Sequence, residues 1–380
     1  MEIDRLETLR ALLDEQAARD DQLDGAEPAG RRGLAGLRLQ DLDLHAVEDR
    51  LLARTDVHGL VVLGGRLSPA LSLHLVQHGA IVFPTDPDAP LDVYRARLYT
   101  AAELYAGLDG PHGYAGTPDG RAYQWTLEHP TGADAYVAML RAIHDESLTD
   151  ALDDALTGQH VAGVMGGHAA QRGSDVYAAA ARLGHTLAEA GLVVATGGGP
   201  GAMEAANLGA YAPDEAALAR ALGWLAQVPG YRPDLAHWAH AGLSTRARLG
   251  QWAEGDPLRS VGMPTWFYGH EPPNVFGQGI AKYFSNALRE DGLVSRCSAG
   301  IVVLPGAAGT VQEVFQIATR LYYGRCPGAT PPPLVLVGHD CWTRLLPAWP
   351  LLRALGAGRP MGGALHLVGS VEEAAAVLLG

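Results

Sequence analysis

Cysteine and lysine are scarce in this chain. The scarcity of cysteine bears on the class of protein, whereas the scarcity of lysine does not. Only three cysteines occur, Cys297, Cys326 and Cys341, and no two of them form a Cys-x-x-Cys pair. This argues against a disulfide framework and leads us to expect a reducing, cytoplasmic setting. Lys282 is the single lysine, so arginine supplies almost all of the positive charge. We interpret that imbalance as a bias of the source genome.

Long apolar runs and an excess of positive charge are also missing. The apolar run 300–304 is far shorter than the roughly 18–20 residues that span a membrane, and residues 1–20 lack a signal-peptide pattern. The formal net charge is −14, which argues against a nucleic-acid surface because such a surface needs a basic patch. A small phosphorylated ligand remains compatible, since backbone N–H groups and one or two arginines can hold it.

The residues that are present predict a buried α/β core. Apolar residues make up 48% of the 380-residue chain and charged residues 18%, a composition typical of well-packed domains. Apolar runs alternate with helical patterns, which predicts a Rossmann-like, doubly wound and mostly parallel sheet over 156–380. The predicted strands of this sheet are 161–165, 192–196, 261–268, 300–304, 333–337 and 365–368. The predicted helices include 280–290 and 311–322.

A smaller α/β module is predicted over 1–155. Its pattern is β-α-β, with one apolar run ending in Gly64 and Gly65. Such a module could regulate the larger domain, by sensing an effector such as a nucleotide, or could mediate oligomerisation.

Three glycine clusters follow predicted strands of the larger domain: 166–167, 197–201 and 306–309. In open parallel sheets, ligands bind beyond the carboxyl ends of the strands, and glycine lets the backbone approach them closely. Helix N-termini at the same edge add free N–H groups and a partial positive charge. One cluster alone is as well explained by a tight turn. Three clusters together predict a ligand-binding edge, with His168 beside it.

The segment 305–313, Pro-Gly-Ala-Ala-Gly-Thr-Val-Gln-Glu, is the most informative of these. Thr310 can offer a hydroxyl and an N–H group to a phosphate, and Glu313 lies one turn into the predicted helix. An acid in that position also has a simpler interpretation, because it complements the helix dipole. The segment is not a Walker loop, since no Gly-Lys-Ser/Thr follows. It predicts a cradle for a nucleotide phosphate.

The same segments resemble a known family. Segment 197–206, Gly-Gly-Gly-Pro-Gly-Ala-Met-Glu-Ala-Ala, resembles the GGGxxGLMG segment of the Lonely Guy (LOG) family, and 305–313 resembles its PGGxGTxxE. LOG proteins are Rossmann-like phosphoribohydrolases that cleave nucleoside 5′-monophosphates into free base and ribose 5-phosphate. The likeness covers about residues 158–380. The additional N-terminal module makes the chain similar to the long bacterial members, which include the purine/pyrimidine nucleotide 5′-monophosphate nucleosidases.

The resemblance implies a set of site residues, and the chain departs from the family pattern in several places, including the turn 165–168, which lacks the family's serines. Glu313 would be the catalytic acid near the ribose, and Arg289 on the helix before the motif strand would bind the phosphate or orient the base. Ala307 replaces a family glycine, and Gln312 replaces an acid that many members carry. The ligand-binding set, taken with the glycine clusters, is Gly166, Gly167, His168, Gly198, Gly199, Gly201, Met203, Gly306, Gly309 and Thr310.

The implied reaction needs few groups. Glycosidic cleavage passes through an oxocarbenium-like ribose. Glu313 would stabilise this cation, attack it as a nucleophile, or activate the attacking water, and the sequence leaves these three roles open. Neither a metal nor a cofactor is expected. The expected partners are a nucleoside monophosphate substrate and further copies of this chain in a homodimer or larger assembly. The alternative function is non-catalytic binding or carriage of a nucleotide or phosphorylated cofactor on the same scaffold.

Other polar residues receive weaker assignments. The loop residues His270, Glu271 and Asn274 could close on the base. His237 and His240 share a predicted helix face without a third metal ligand, which favours a surface or interface position.

Overall fold

The computed structural model of the chain describes residues 2–22, 33–130, 132–250, 252, 255–267, 271–324 and 331–380. Cys326 and the loop candidate His270 lie outside the described residues. The chain divides into two compact units that alternate along the sequence. Unit 1 comprises Met1–Arg97 and Ala135–Ala151, and unit 2 comprises Leu98–Asp134 and Leu152–Gly380. The predicted domain boundary near residue 155 stays a prediction.

Unit 1 contains a parallel sheet with the strand order β1-β2-β3-β4. Buried leucine, isoleucine and valine side chains from its strands and helices form one hydrophobic cluster, as expected for a sheet covered by crossover helices. Its elements are β1 Glu2–Ile3, α1 Leu6–Gln22, β2 Arg38–Gln40, α2 Glu48–Leu52, β3 Val61–Leu63, α3 Pro69–Gln77 and β4 Ile81–Phe83.

Unit 2 carries the larger α/β layer structure, and α6, Ala135–Leu156, contributes residues to both units. The elements before the main sheet are α4 Ala101–Leu104 and α5 Pro118–Glu128. The next are β5 Val161–Met165, α7 Asp175–Glu189, β6 Val193–Thr196, α8 Ala202–Tyr211, α9 Glu215–Leu225, α10 Leu235–Leu249, β7 Ser260–Gly262 and β8 Gly279–Ile280. The last are α11 Asn286–Arg296, β9 Gly300–Val303, α12 Ala308–Tyr322, β10 Leu334–Val337, α13 Ala348–Gly356, α14 Met361–Ala364, β11 Leu365–Val368 and α15 Val371–Leu379.

The main sheet has the strand order β11-β10-β9-β5-β6-β7-β8, and every adjacent pair is parallel. Strands β6, β7 and β8 lie on one side of β5, and the later strands β9, β10 and β11 lie on its other side. This arrangement confirms the predicted Rossmann-like, doubly wound fold. It also creates a topological switch point between β5 and β9, the position where such sheets bind ligands.

Burial explains why the central strands were recognisable from the sequence. All five residues of β5 are buried, and so are all residues of β6, β9 and β10. Strands covered on both faces appear as short continuous apolar runs. No described helix is long and apolar enough to cross a membrane.

Two predicted elements were wrong in extent. The helix predicted at 280–290 is replaced by the end of β8 and by α11, which begins only at Asn286. The backbone N–H groups of Ala281 and Tyr283 donate to Gly262 and Pro264, so sheet-edge pairing holds this stretch extended. The strand predicted at 261–268 ends at Gly262, shortly before Pro264, which has no N–H group to donate.

Candidate functional site

The loops that leave β5 and β9 meet at the switch point. The N–H of Gly167 donates to the carbonyl oxygen of Pro305 (3.2 Å), and the N–H of Leu304 donates to that of Met165 (2.8 Å). The first turn of α8 joins them, because the N–H of Ala202 donates to the carbonyl oxygen of Gly167 (3.2 Å). All three glycine clusters predicted from the sequence therefore lie at one edge of the sheet.

Close approach of the backbone explains two of these glycines. Gly201 has a φ of +75°, and a methyl group there would lie 2.6 Å from the carbonyl oxygen of Gly167. A methyl group at Gly306 would lie 2.1 Å from Oγ1 of the buried Thr310. Gly309 differs, because a methyl group there would meet nothing within 4 Å. The fold does not require glycine at 309, which leaves the surface above it open to a ligand.

The helices α8 and α12 begin without a side-chain cap. The residues that precede them, Gly201 and Ala307, make no side-chain hydrogen bond to the first helical turn. Other helices of unit 2, α7, α9 and α11, are capped by Ser174, Asp214 and Ser285. The first N–H of α8, that of Ala202, is already taken by Gly167, whereas the first N–H groups of α12 have no acceptor among the described residues. Free N–H groups are the usual condition for anion binding at a helix start.

Arg289 of α11 and Glu313 of α12 form an ion pair beside this edge. Nη1 of Arg289 lies 3.1 Å from Oε1 of Glu313, and the two side chains are 10% and 12% exposed. A methyl group at Gly197 would lie 3.6 Å from the same Nη1, so the arginine also borders the turn after β6. Nε of Arg289 is buried and has no hydrogen-bond partner among the described residues. A buried guanidinium N–H without an acceptor costs free energy unless a ligand satisfies it.

The pKa of Glu313 is raised above its usual value. The largest cause is burial of the carboxyl group, which disfavours the charged form. The guanidinium of Arg289 opposes this shift, whereas the negative charges of Glu290 and Glu271 add to it. A carboxyl group poised in this way can exchange a proton closer to neutral pH than an exposed glutamate does.

Gln312, a departure from the family pattern, has a structural role here. Its Nε2 donates to Oε2 of Glu290 at 2.6 Å, and Oε1 of Glu290 accepts from Asn286 at 2.8 Å. An acid at 312 would bring a second carboxylate against Glu290. The glutamine therefore fits its neighbour on α11.

A second acidic group, Glu271, lies at the same strand ends. Nδ1 of His168 lies 3.0 Å from Oε1 of Glu271, and the imidazole is 49% exposed. A methyl group at Gly199 would lie 3.3 Å from Oε2 of Glu271. The sequence placed Glu271 only in a polar loop, and the structure brings it to the same strand ends as His168. No motif links these two residues, so their pairing had no sequence signal.

Asn274, a predicted contact to the base, is buried and supports the turn instead. Its N–H donates to the carbonyl oxygen of Gly198 (2.8 Å), and its Nδ2 donates to that of Gly199 (3.2 Å) and to Oδ1 of Asn207 (2.9 Å). Met203 packs over the same turn, because a methyl group at Gly197 would lie 2.8 Å from its sulfur. These contacts fix the glycine turn before any ligand arrives.

A cavity of about 530 Å³ opens beside the start of α8. Its lining includes His168, Gly201, Glu204, Tyr231 and Trp238. The charge of Glu204 is already compensated, since Nε of the buried Arg172 donates to its Oε2 at 3.0 Å. Sequence reasoning missed Arg172, Glu204, Tyr231 and Trp238, because they come from distant segments and share no spacing.

Two further pairs of ionisable side chains occur in unit 2. Lys282 is fully buried, with Nζ 2.6 Å from Oδ1 of Asp119. Nε2 of His240 lies 3.2 Å from Oδ1 of Asp109 at a partly exposed position. In the described part of the chain, no group of three His, Cys, Asp or Glu side chains could hold a metal ion.

Comparison with known proteins corrects the family expectation. The profile of the SLOG cluster4 family matches residues 159–219, whereas no LOG family profile matches. The matched segment contains β5 and the glycine turn 197–201 but not 305–313, so the LOG assignment, which combined both motifs, was wrong. Short glycine-rich turns after parallel strands are shared by many nucleotide-binding folds and do not distinguish such families.

Comparison with curated proteins gives no match to this chain. Among solved structures, the chain is similar to the molybdenum cofactor binding protein from the phototrophic bacterium Rippkaea orientalis. The two share 18% sequence identity, the alignment covers 58% of this chain and 95% of that chain, and the TM-score is 0.34. At this TM-score and identity, the likeness supports no inference about the ligand of this chain. The similarity to the SLOG cluster4 family extends over residues 159–219 and so describes only part of the chain.

Proposed function

We propose that the chain binds a phosphorylated small molecule of the nucleoside 5′-monophosphate type at the carboxyl ends of β5 and β9. The observation that carries this proposal is the switch point, where the uncapped start of α12 lies beside the buried Arg289. The phosphate accepts hydrogen bonds from the first N–H groups of α12 and from the guanidinium. The partner that this function requires is a small phosphorylated ligand.

Calorimetric titration with AMP, GMP, CMP, UMP and IMP tests the binding. We expect at least one of these to bind, and Arg289→Met to weaken it roughly tenfold or more, because a charge-assisted hydrogen bond contributes about 1.5–3 kcal/mol. The matched control is Arg296→Met on the same helix, whose guanidinium donates to Asp153 instead (2.7 Å). Equal affinities in wild type and both variants would contradict the proposed site.

A second variant examines the loop itself. Gly309→Ala adds a methyl group in open space at a helical position of α12, so the free energy of unfolding should stay the same or rise by up to about 1 kcal/mol. The same methyl group would stand between the backbone and a phosphate, so the affinity for the nucleotide should fall. An unchanged affinity would remove Gly309 from the site.

Cleavage of the N-glycosidic bond is the second function, and the Glu313 carboxyl group favours it. A binding protein for an anion gains nothing from a buried acid, yet Glu313 is held beside Arg289 with a raised pKa. Placed next to the ribose, the carboxylate stabilises the developing oxocarbenium ion or activates water. The products are free base and ribose 5-phosphate.

Chromatographic detection of free base tests the cleavage. Glu313→Gln should lower the rate by about 10²-fold or more while leaving AMP binding measurable, as expected for removal of a general acid or base. If wild type binds a nucleotide yet releases no base across a pH series, the chain is a binding or carrier protein. The nucleotide effector of the N-terminal module, the homo-oligomer and the cytoplasmic setting stay predictions.

A further inference from the structure

A second cavity, of about 610 Å³, lies in unit 2 away from Arg289 and Glu313. Its lining includes three tyrosines, Tyr114, Tyr123 and Tyr231, and Arg232 lies among them. None of these side chains takes part in the ion pair or the glycine turns at the switch point. We call it the tyrosine cavity.

Buried partners hold two of the three rings in place. The hydroxyl of Tyr114 donates to Oδ2 of Asp119, and Asp119 is itself anchored by Nζ of Lys282 (2.6 Å). The ring of Tyr231 packs edge-on against the buried Trp238, with 6.2 Å between centroids and 71° between planes. Rings fixed before binding lose little conformational entropy when a ligand arrives.

The cation of the cavity is available to a ligand. The guanidinium carbon of Arg232 lies 5.6 Å from the centroid of the Tyr231 ring. Arg232 forms no ion pair with any residue that the structure describes. A guanidinium stacked near an aromatic ring adds a second flat, positive surface for an electron-rich ring.

We propose that the tyrosine cavity is a separate binding site for a planar heteroaromatic group. Aromatic rings and a stacked guanidinium recognise such a group through its faces, independently of a phosphate. Tyr231 and Arg232 also line the cavity beside the start of α8, so the two cavities adjoin. Arg289 and Glu313 line neither of them. The tyrosine cavity therefore does not depend on the function proposed for the phosphate site between β5 and β9.

Calorimetry with adenosine, which carries a heteroaromatic ring and no phosphate, tests this site. Adenosine should bind the wild-type chain, and ribose, which lacks a ring system of this kind, should not. Tyr123→Ala should weaken the affinity for adenosine roughly tenfold, which is the usual effect of removing one stacking ring. Tyr123→Phe should preserve binding. Tyr323→Ala, which removes an exposed tyrosine outside this cavity, is the control for loss of any surface ring.

Competition separates this site from the phosphate site. Saturating ribose 5-phosphate should leave adenosine binding unchanged, and Arg289→Met should not affect it. Thermal unfolding of each variant confirms that the fold survives, and Tyr123→Phe preserves the ring if Tyr123→Ala unfolds. The assignment is overturned if adenosine does not bind, if ribose 5-phosphate displaces it, or if Tyr123→Ala and Tyr323→Ala have equal effects.

Discussion

Glu313 and Arg289 form one ion pair at the switch point, and this pair contains both a titratable acid and an anion-binding group. The arginine uses Nη1 for the carboxylate, and its buried Nε has no partner in the described residues, so the guanidinium keeps unused hydrogen-bonding capacity. The acid is buried, which raises its pKa, while the arginine keeps the charged form accessible. Binding and proton exchange are thereby available from neighbouring side chains.

The raised pKa of Glu313 predicts a specific dependence of stability on pH. The folded chain holds this proton more tightly than the unfolded chain, whose glutamate has the ordinary value of 4.5. The stability from this group is complete below 4.5 and is lost as pH rises through the folded pKa. Urea unfolding of wild type and Glu313→Gln should show the wild-type advantage shrinking over that window. An advantage that grows with pH would refute the shift.

At the scale of elements, the two helices that carry the ion pair, α11 and α12, begin in different ways. α12 begins uncapped at the loop after β9, whereas α11 begins with the hydroxyl of Ser285 accepting from the N–H of Leu288. The cap fixes the first turn of α11, which lies directly before Arg289. Correct placement of the guanidinium should therefore depend on a residue that touches no ligand.

Two serine caps provide a matched comparison. Ser285→Ala and Ser174→Ala remove the caps of α11 and α7, and each should lower the free energy of unfolding by about 1 kcal/mol. Only Ser285→Ala should also weaken the binding of AMP, because α11 carries Arg289. Equal effects of both variants on affinity would show that the start of α11 does not position the arginine.

The features that could be predicted from the sequence are those with a local signal. Continuous apolar runs predicted β5, β9 and β10, and glycine clusters predicted the edge where their loops meet. The short strands β7 and β8 were misread, because their extent is set by pairing and by Pro264 rather than by composition. The pairs His168–Glu271 and Arg172–Glu204 join distant segments, and their spacing in the sequence does not predict either contact.

At the scale of the whole molecule, a buried ion pair joins distant parts of unit 2. Asp119 lies in α5, within the segment Leu98–Asp134, and Lys282 follows β8 of the main sheet. Oδ1 of Asp119 accepts from Lys282 (2.6 Å) and from Nε1 of Trp266 (2.8 Å) in a fully buried setting. Burial lowers the pKa of Lys282, and the carboxylate opposes that shift.

Removing the cation from this pair should destabilise unit 2 strongly. Lys282→Met leaves Asp119 charged and buried, which costs about 3–5 kcal/mol. The control, Arg344→Met, breaks an exposed pair with Asp340 and should change the free energy of unfolding little. Chemical denaturation measures both, and similar losses in the two variants would mean that burial of the Lys282 pair carries no special cost.

The most direct test of the phosphate site is to locate the phosphate of a bound nucleotide. A crystal structure of the chain with adenosine 5′-monophosphorothioate identifies the sulfur-bearing phosphate by its anomalous signal. We expect that group within hydrogen-bonding distance of the first N–H groups of α12 and of the Arg289 guanidinium. A phosphorothioate bound in the tyrosine cavity, in unit 1, or away from the junction of β5 and β9 would contradict the proposed site.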